Sequence, residues 1–129
     1  MKQKKAGVMT RYFFDTYALV EIVKNNPSYI KYFEDIITTS IFNLVELYFS
    51  LLRDLGEDKA KEGYYQFKDC IIEIKDDVIF EAMNLKLQLK NKNVSYTDCI
   101  GYTLALKNNL KFLTGDKEFK IMNNVEFVH

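Results

Sequence analysis

The chain has 129 residues, 48% of them hydrophobic and 28% charged, which suits one soluble domain with its own core and no need for staples. Its 18 basic and 18 acidic residues cancel, which argues against bulk attraction to nucleic acid while leaving room for a local basic patch. No apolar run nears the roughly 18 residues of a membrane span, and neither glycine-rich phosphate-cradling motif occurs.

Residues 1–10, MKQKKAGVMT, read as a flexible basic tail, because no apolar stretch follows the lysines as a secretory signal requires. A single domain is expected over 11–129. Arg11–Phe14 is a short β-type run that stops on Asp15, and Tyr17–Lys24 then carries apolar residues at helical spacing. Pro27 suits the first turn of a second helix through Asp35, with a strand candidate at Ile36–Thr38. Ser40 caps an apolar helix running to about Leu55. Asp58–Phe67 is helical, Cys70–Ile74 is a strand candidate, and Asp77–Lys90 is a helix with Val78, Ala82, Leu85 and Leu89 on one face. Cys70 and Cys99 lack CxxC spacing and read as reduced, buried thiols of a cytoplasmic protein. Ser95 begins a further helix that fades at Asn108-Asn109-Leu110, and the strand candidates Lys111–Leu113 and Val125–Val128 complete the pattern. The single histidine, His129, is the last residue and is poorly placed for catalysis. Strands alternating with helices imply βαβ units, hence an α/β fold whose mostly parallel sheet is covered on both faces. Ligands bind such sheets beyond the carboxyl ends of the strands, near the point where strand order reverses.

Acids in such places carry functional weight, and four deserve comparison. Asp15 follows the first strand, where capping the next helix is an equally good reading. Between Ile41 and Leu52 the only polar residues are Asn43, Glu46 and Ser50, on one stripe of a helix otherwise apolar nearly all round. Such a helix is expected to be buried, and a buried Glu46 then needs a cation or hydrogen-bond donors. Asp98 stands at capping-box spacing from Ser95, with Gly101 one turn on removing side-chain bulk beside it. Asp116 closes KFLTGD, repeating the arrangement at Asp15: an apolar strand that ends on an acid beside a hydroxyl residue. Oxygen donors so placed suit magnesium or manganese. Tyr29, Tyr32, Phe33, Tyr64, Tyr65 and Phe67 would serve a dimer or partner interface where they are exposed.

The stretches FFDTYALVEI, TTSIFNLVELYFSLL, SYTDCIGYTLALKNNLKFLTGDKEF and VEFV, in this order, resemble the PIN-domain ribonucleases, particularly the VapC-like toxins of type II toxin–antitoxin modules. They span nearly the whole chain after residue 11. The most specific parts are Asn43-x-x-Glu46 with Asp98, and Thr114-Gly115-Asp116-x-x-Phe119. The resemblance implies a three-layer α/β/α PIN-like fold with a central parallel sheet of about five strands. It also implies Mg²⁺- or Mn²⁺-dependent RNA cleavage, a homodimer and a small antitoxin as partner. By that resemblance Asp15, Glu46, Asp98 and Asp116 correspond to the catalytic, metal-binding acids, and Asn43 and Thr114 to supporting polar positions. Thr16 is a further supporting candidate. Lys117 and Lys120 are candidates to meet the RNA backbone, weighed against plain solvated lysines. A catalytically silent PIN-like module that binds RNA or protein is the alternative. A phosphoacceptor receiver domain is weaker, since it wants an adjacent acidic pair where Asp15 is followed by Thr16.

Overall fold

A computed structural model describes residues 10–33 and 36–129. The expected tail, apart from Thr10, and the expected helix end at Asp35 lie outside the described residues. In chain order the elements are β1 (Tyr12–Phe14), α1 (Thr16–Val23), a 3₁₀ turn (Pro27–Tyr29) leading into α2 (Ile30–Phe33), β2 (Ile37–Thr38), α3 (Ile41–Leu55) and α4 (Glu57–Phe67). A 3₁₀ turn (Lys68–Cys70), α5 (Asp76–Gln88), α6 (Tyr96–Lys107), β3 (Lys111–Thr114), a 3₁₀ turn (Lys117–Phe119) and β4 (Val125–Phe127) follow.

Side chains alternate across a strand, and in the two central strands both faces are apolar. Phe13 of β1 pairs in register with Phe112 of β3, and Phe14 with Leu113. Phe13 and Phe112 enter a core closed by Val78 and Ala82 of α5 and Ile100 and Leu104 of α6. Phe14 and Leu113 enter a second core, closed by Leu19 of α1, Leu44, Leu47 and Leu51 of α3, and Ala60 of α4. A pair of strands buried on both faces requires helices on both sides, and the expected three-layer α/β/α fold results.

The sheet is parallel and four-stranded, in the order β2-β1-β3-β4. The expected count of about five is one too high: Cys70–Ile74 supplies only an isolated parallel bridge, Ile71 to Thr39. Its partner gives out, because β2 has two residues and the chain turns into the cap of α3 at Ser40. Ile72 and Ile74 pack instead against the core under α5 and α6. The outer strand β4 is tied from the other side. The Tyr29 hydroxyl donates to the carbonyl of Val128, and the Tyr32 hydroxyl donates to Glu126 Oε2 at 2.7 Å.

The helix buried all round is α6, whose residues Cys99 to Ala105 are all buried, and not α3. On α3 one stripe packs inward while Phe42, Val45, Phe49 and Leu52 face outward, Phe49 with 60% exposure. The outer position of α3, packed on α1 and α4 and not between sheet and helix, is the reason. Gly56, at φ +91°, separates α3 from α4 in a backbone region that only glycine enters readily. Of the aromatic residues expected at an interface, Tyr29, Tyr32 and Phe67 are buried, and only Phe33 and Tyr65 are exposed. Cys99 is buried, but Cys70 is only half-buried.

Gly101 does not make room beside Asp98. A Cβ on it would come within 2.8 Å of the Phe13 ring and 3.2 Å of the Phe112 ring, so the glycine lets α6 lie against the central strands. Both rings are buried and cannot swing clear. Gly101→Ala should therefore lower stability by about 1–2 kcal/mol in urea denaturation, despite the helix-propensity gain of up to ~1 kcal/mol.

Candidate active site

The chain leaves β1 toward β2 on one side and later returns to β3 on the other, so strand order reverses between β1 and β3. Their carboxyl ends lie side by side, joined by the Asp15 N–H donating to the Leu113 carbonyl at 3.2 Å. Asp15 is the N-cap of α1, its Oδ1 accepting the Ala18 N–H at 2.8 Å. The Thr114 side chain hydrogen-bonds the Asp15 carboxyl, and Thr114 Oγ1 also accepts the Asp116 N–H at 3.0 Å. Asp116 in turn caps the following 3₁₀ turn through the Glu118 N–H, at 2.9 Å. Each acid at a strand end is thus a helix cap as well, and neither reading excludes the other.

Asp98 is a cap too. It forms a full capping box with Ser95, accepting the Ser95 N–H at 2.9 Å while its own N–H donates to Ser95 Oγ at 3.0 Å. Burial nevertheless holds its carboxyl above the usual range, and the charges of Asp116 and Glu46 push the same way. Glu46 approaches from α3, where the Thr16 hydroxyl donates to Oε1 at 2.6 Å and Asn43 Nδ2 donates to Thr16 Oγ1 at 3.1 Å. Asn43 is held by Ser40, the N-cap of α3.

The four acids therefore share one field. Asp15, only 3% exposed, has its pKa raised from 3.8 to about 7, by burial first and then by the charges of Asp98 and Asp116. The Thr114 hydrogen bond and the Ala18 N–H oppose this rise without cancelling it. Carboxyl, amide and hydroxyl oxygens are the donors on hand, a set that fits a hard cation such as Mg²⁺ or Mn²⁺. Among the described residues no three acidic, histidine or cysteine side chains are grouped closely enough to hold a metal ion between them.

Lys117 and Lys120 are exposed just past Asp116, and Lys120 Nζ lies over the Phe127 ring at 5.4 Å. Two features escaped the sequence. The Tyr17 ring lies so close to Gly115 that a Cβ there would come within 2.1 Å of it. The second is the donation of the Ser40 hydroxyl to Asn43, which the i, i+3 spacing of Ser40 and Asn43 signals once Ser40 is known to cap α3.

Residues 12–124 match the family model described as PIN domain. The chain belongs to the PIN domain family. No match was found among curated proteins. Among solved structures, the chain is similar to the sarcin–ricin-loop-cleaving VapC toxin of Mycobacterium tuberculosis, with TM-score 0.75 and 15% identity over 91% of this chain and 96% of that one. A VapBC complex of Rickettsia felis bound to a DNA fragment from its promoter gives TM-score 0.71 and 19% identity over 92% and 98% of the two chains. DNA-bound VapBC from Salmonella typhimurium gives 0.72 and 17% over 93% and 98%. At these identities the likeness is one of fold.

The raised pKa of Asp15 links to stability with a definite sign. Between about pH 4 and 7 the folded chain holds a proton there that the unfolded chain has lost. That stabilisation is present at low pH and disappears as pH rises through the window. In chelator, the thermal midpoint should fall from pH 5 to pH 8. Asp15→Asn keeps the acceptor for Ala18 N–H, and should flatten this dependence and raise the midpoint at pH 8.

Proposed function

We propose that the protein is a Mg²⁺- or Mn²⁺-dependent endoribonuclease of the VapC kind, a toxin paired with a small antitoxin. The observation that carries the reading is the coupling of Asp15, Glu46, Asp98 and Asp116 where strand order reverses, with Asp15 held near neutrality by burial and like charge. Asp15, Asp98 and Asp116 would hold the ion, directly or through water, and Glu46 would ligate it or orient the attacking water. A bound divalent ion supplies an activated water and neutralises charge at the scissile phosphate. Thr114 and Thr16 fix the carboxylates of Asp15 and Glu46 by hydrogen bonds, so the acids need no reorganisation when substrate arrives. Lys117 and Lys120, both exposed, would meet the RNA backbone on the Asp116 side.

That no three such side chains among the described residues are grouped to hold a metal ion favours one other reading, a silent PIN module that binds RNA or protein. Incubation with a mixed structured-RNA pool in Mg²⁺, Mn²⁺ or chelator separates the two: the nuclease reading requires cleavage that chelator stops. Asp98→Asn keeps size and capping ability but loses one anionic ligand. It should abolish cleavage and weaken Mn²⁺ binding while leaving the metal-free midpoint equal or higher. Cleavage at the wild-type rate would remove Asp98 from the site.

A homodimer and an antitoxin complex each need an apolar surface, and the described residues include two candidates. One is the Phe42, Val45, Phe49 and Leu52 stripe of α3; the other is on α5, with Phe80 67% and Leu87 70% exposed. Light scattering at micromolar concentration should give the mass of two chains and not the 15.2 kDa of one. A monomer under those conditions would count against the dimer. The cytoplasmic location belongs to this reading; among the described residues no helix is long and apolar enough to cross a membrane.

A further inference from the structure

Ser40 has no exposed surface, and its hydroxyl makes two hydrogen bonds to the same residue. It accepts the backbone N–H of Asn43 at 3.2 Å, as an N-cap does, and it donates to Asn43 Oδ1 at 2.6 Å. The first bond leaves room for the second. A backbone N–H can only donate, so the Ser40 oxygen is the acceptor there and its own proton is free to go to Asn43 Oδ1.

With Oδ1 committed to Ser40, Asn43 turns Nδ2 toward Thr16 Oγ1 at 3.1 Å. An amide nitrogen also only donates, so Thr16 accepts from it, and the Thr16 proton goes to Glu46 Oε1 at 2.6 Å. A carboxylate only accepts, so the direction is fixed from the Glu46 end: Thr16 must take Nδ2 of Asn43, and Asn43 Oδ1 is left to the Ser40 proton. Were the Asn43 amide reversed, Oδ1 would take the Thr16 proton and Glu46 Oε1 would lose its donor. We propose that Ser40 is a positioning residue for Glu46, acting through Asn43 and Thr16 so that one carboxylate oxygen is tied down and Oε2 is presented to a divalent cation or its water.

Helix capping alone accounts for the first Ser40 bond and for none of the others. The row joins the first turn of α3 to the first turn of α1, which are separate in sequence and both lie beyond the carboxyl ends of the strands. The cationic role of Glu46 rests on the ribonuclease reading, but the hydrogen-bond row does not.

The test uses the full chain with Ser40→Gly, which keeps a tolerated N-cap residue, and Ser40→Thr, which keeps the hydroxyl. Val78→Ala, buried in the core on the other face of the sheet, serves as a matched loss of stability. In metal-free protein, Ser40→Gly should move the NMR resonances of the Glu46 carboxyl carbon and the Asn43 side-chain amide. It should also weaken Mn²⁺ binding by roughly tenfold and lower kcat by a similar factor, with KM for RNA nearly unchanged. Ser40→Thr should restore all of these, and Val78→Ala should move none. Glu46 resonance and Mn²⁺ affinity at wild-type values in Ser40→Gly, or changes that Val78→Ala reproduces at equal midpoint, would overturn the proposal. In the wild type itself the Asn43 side-chain amide protons should be protected from exchange and close to Thr16; free exchange would overturn it too, whatever the variants do. Wild-type protein that cleaves no RNA would sink the ribonuclease reading alone, since the resonances are read without metal or substrate.

Discussion

The pairing of β1 with β3 is the constraint on which the rest depends. Phe13 opposite Phe112 and Phe14 opposite Leu113 give each sheet face an aromatic or aliphatic pair to bury, and so call for helices on both sides. One residue further on, the same register sets Asp15 beside Leu113 and Thr114. A slip of one residue would exchange the two cores and separate the acids together. Packing and chemistry are therefore specified by one alignment.

The acids are held in place by backbone groups that need partners anyway. Asp15, Asp98 and Asp116 each accept an N–H from a helix or turn start, which satisfies an orphan donor and fixes the carboxylate. The cost is electrostatic: three such caps and Glu46 crowd like charges, and Asp15 in particular holds a proton near neutrality. Like-charge crowding of this kind lowers the stability of the folded chain.

Much of this was legible in the residues. Asp15 and Asp116 were found because an apolar strand stopping on an acid is a local pattern, and Ser40 and Ser95 because caps are local too. The features that depend on distant partners were not. Cys70–Ile74 has strand composition, but whether it pairs depends on β2, which is only two residues long. The all-round burial expected of α3 belongs to α6, since Phe42, Val45 and Phe49 look like core until the outer position of α3 is known, whereas α6 owes its burial to the layer it occupies. Gly101 looked like space for chemistry next to Asp98 and is space for two phenylalanine rings. Asp98 makes a full capping box and still lies within the field of Asp116 and Glu46, so capping does not take it out of the acidic cluster.

The register between β1 and β3 also has a meaning in time. The first strand leaves the ribosome well before its partner, which ends on Thr114 and is followed by Asp116. Until Lys111–Thr114 emerges, Asp15 lacks Thr114 and Asp116, and Phe13 and Phe14 lack the strand with which they stand in register. Such long-range closure is slow to form and offers little to an incomplete chain. The acidic cluster is thus absent from every nascent fragment that stops short of Asp116.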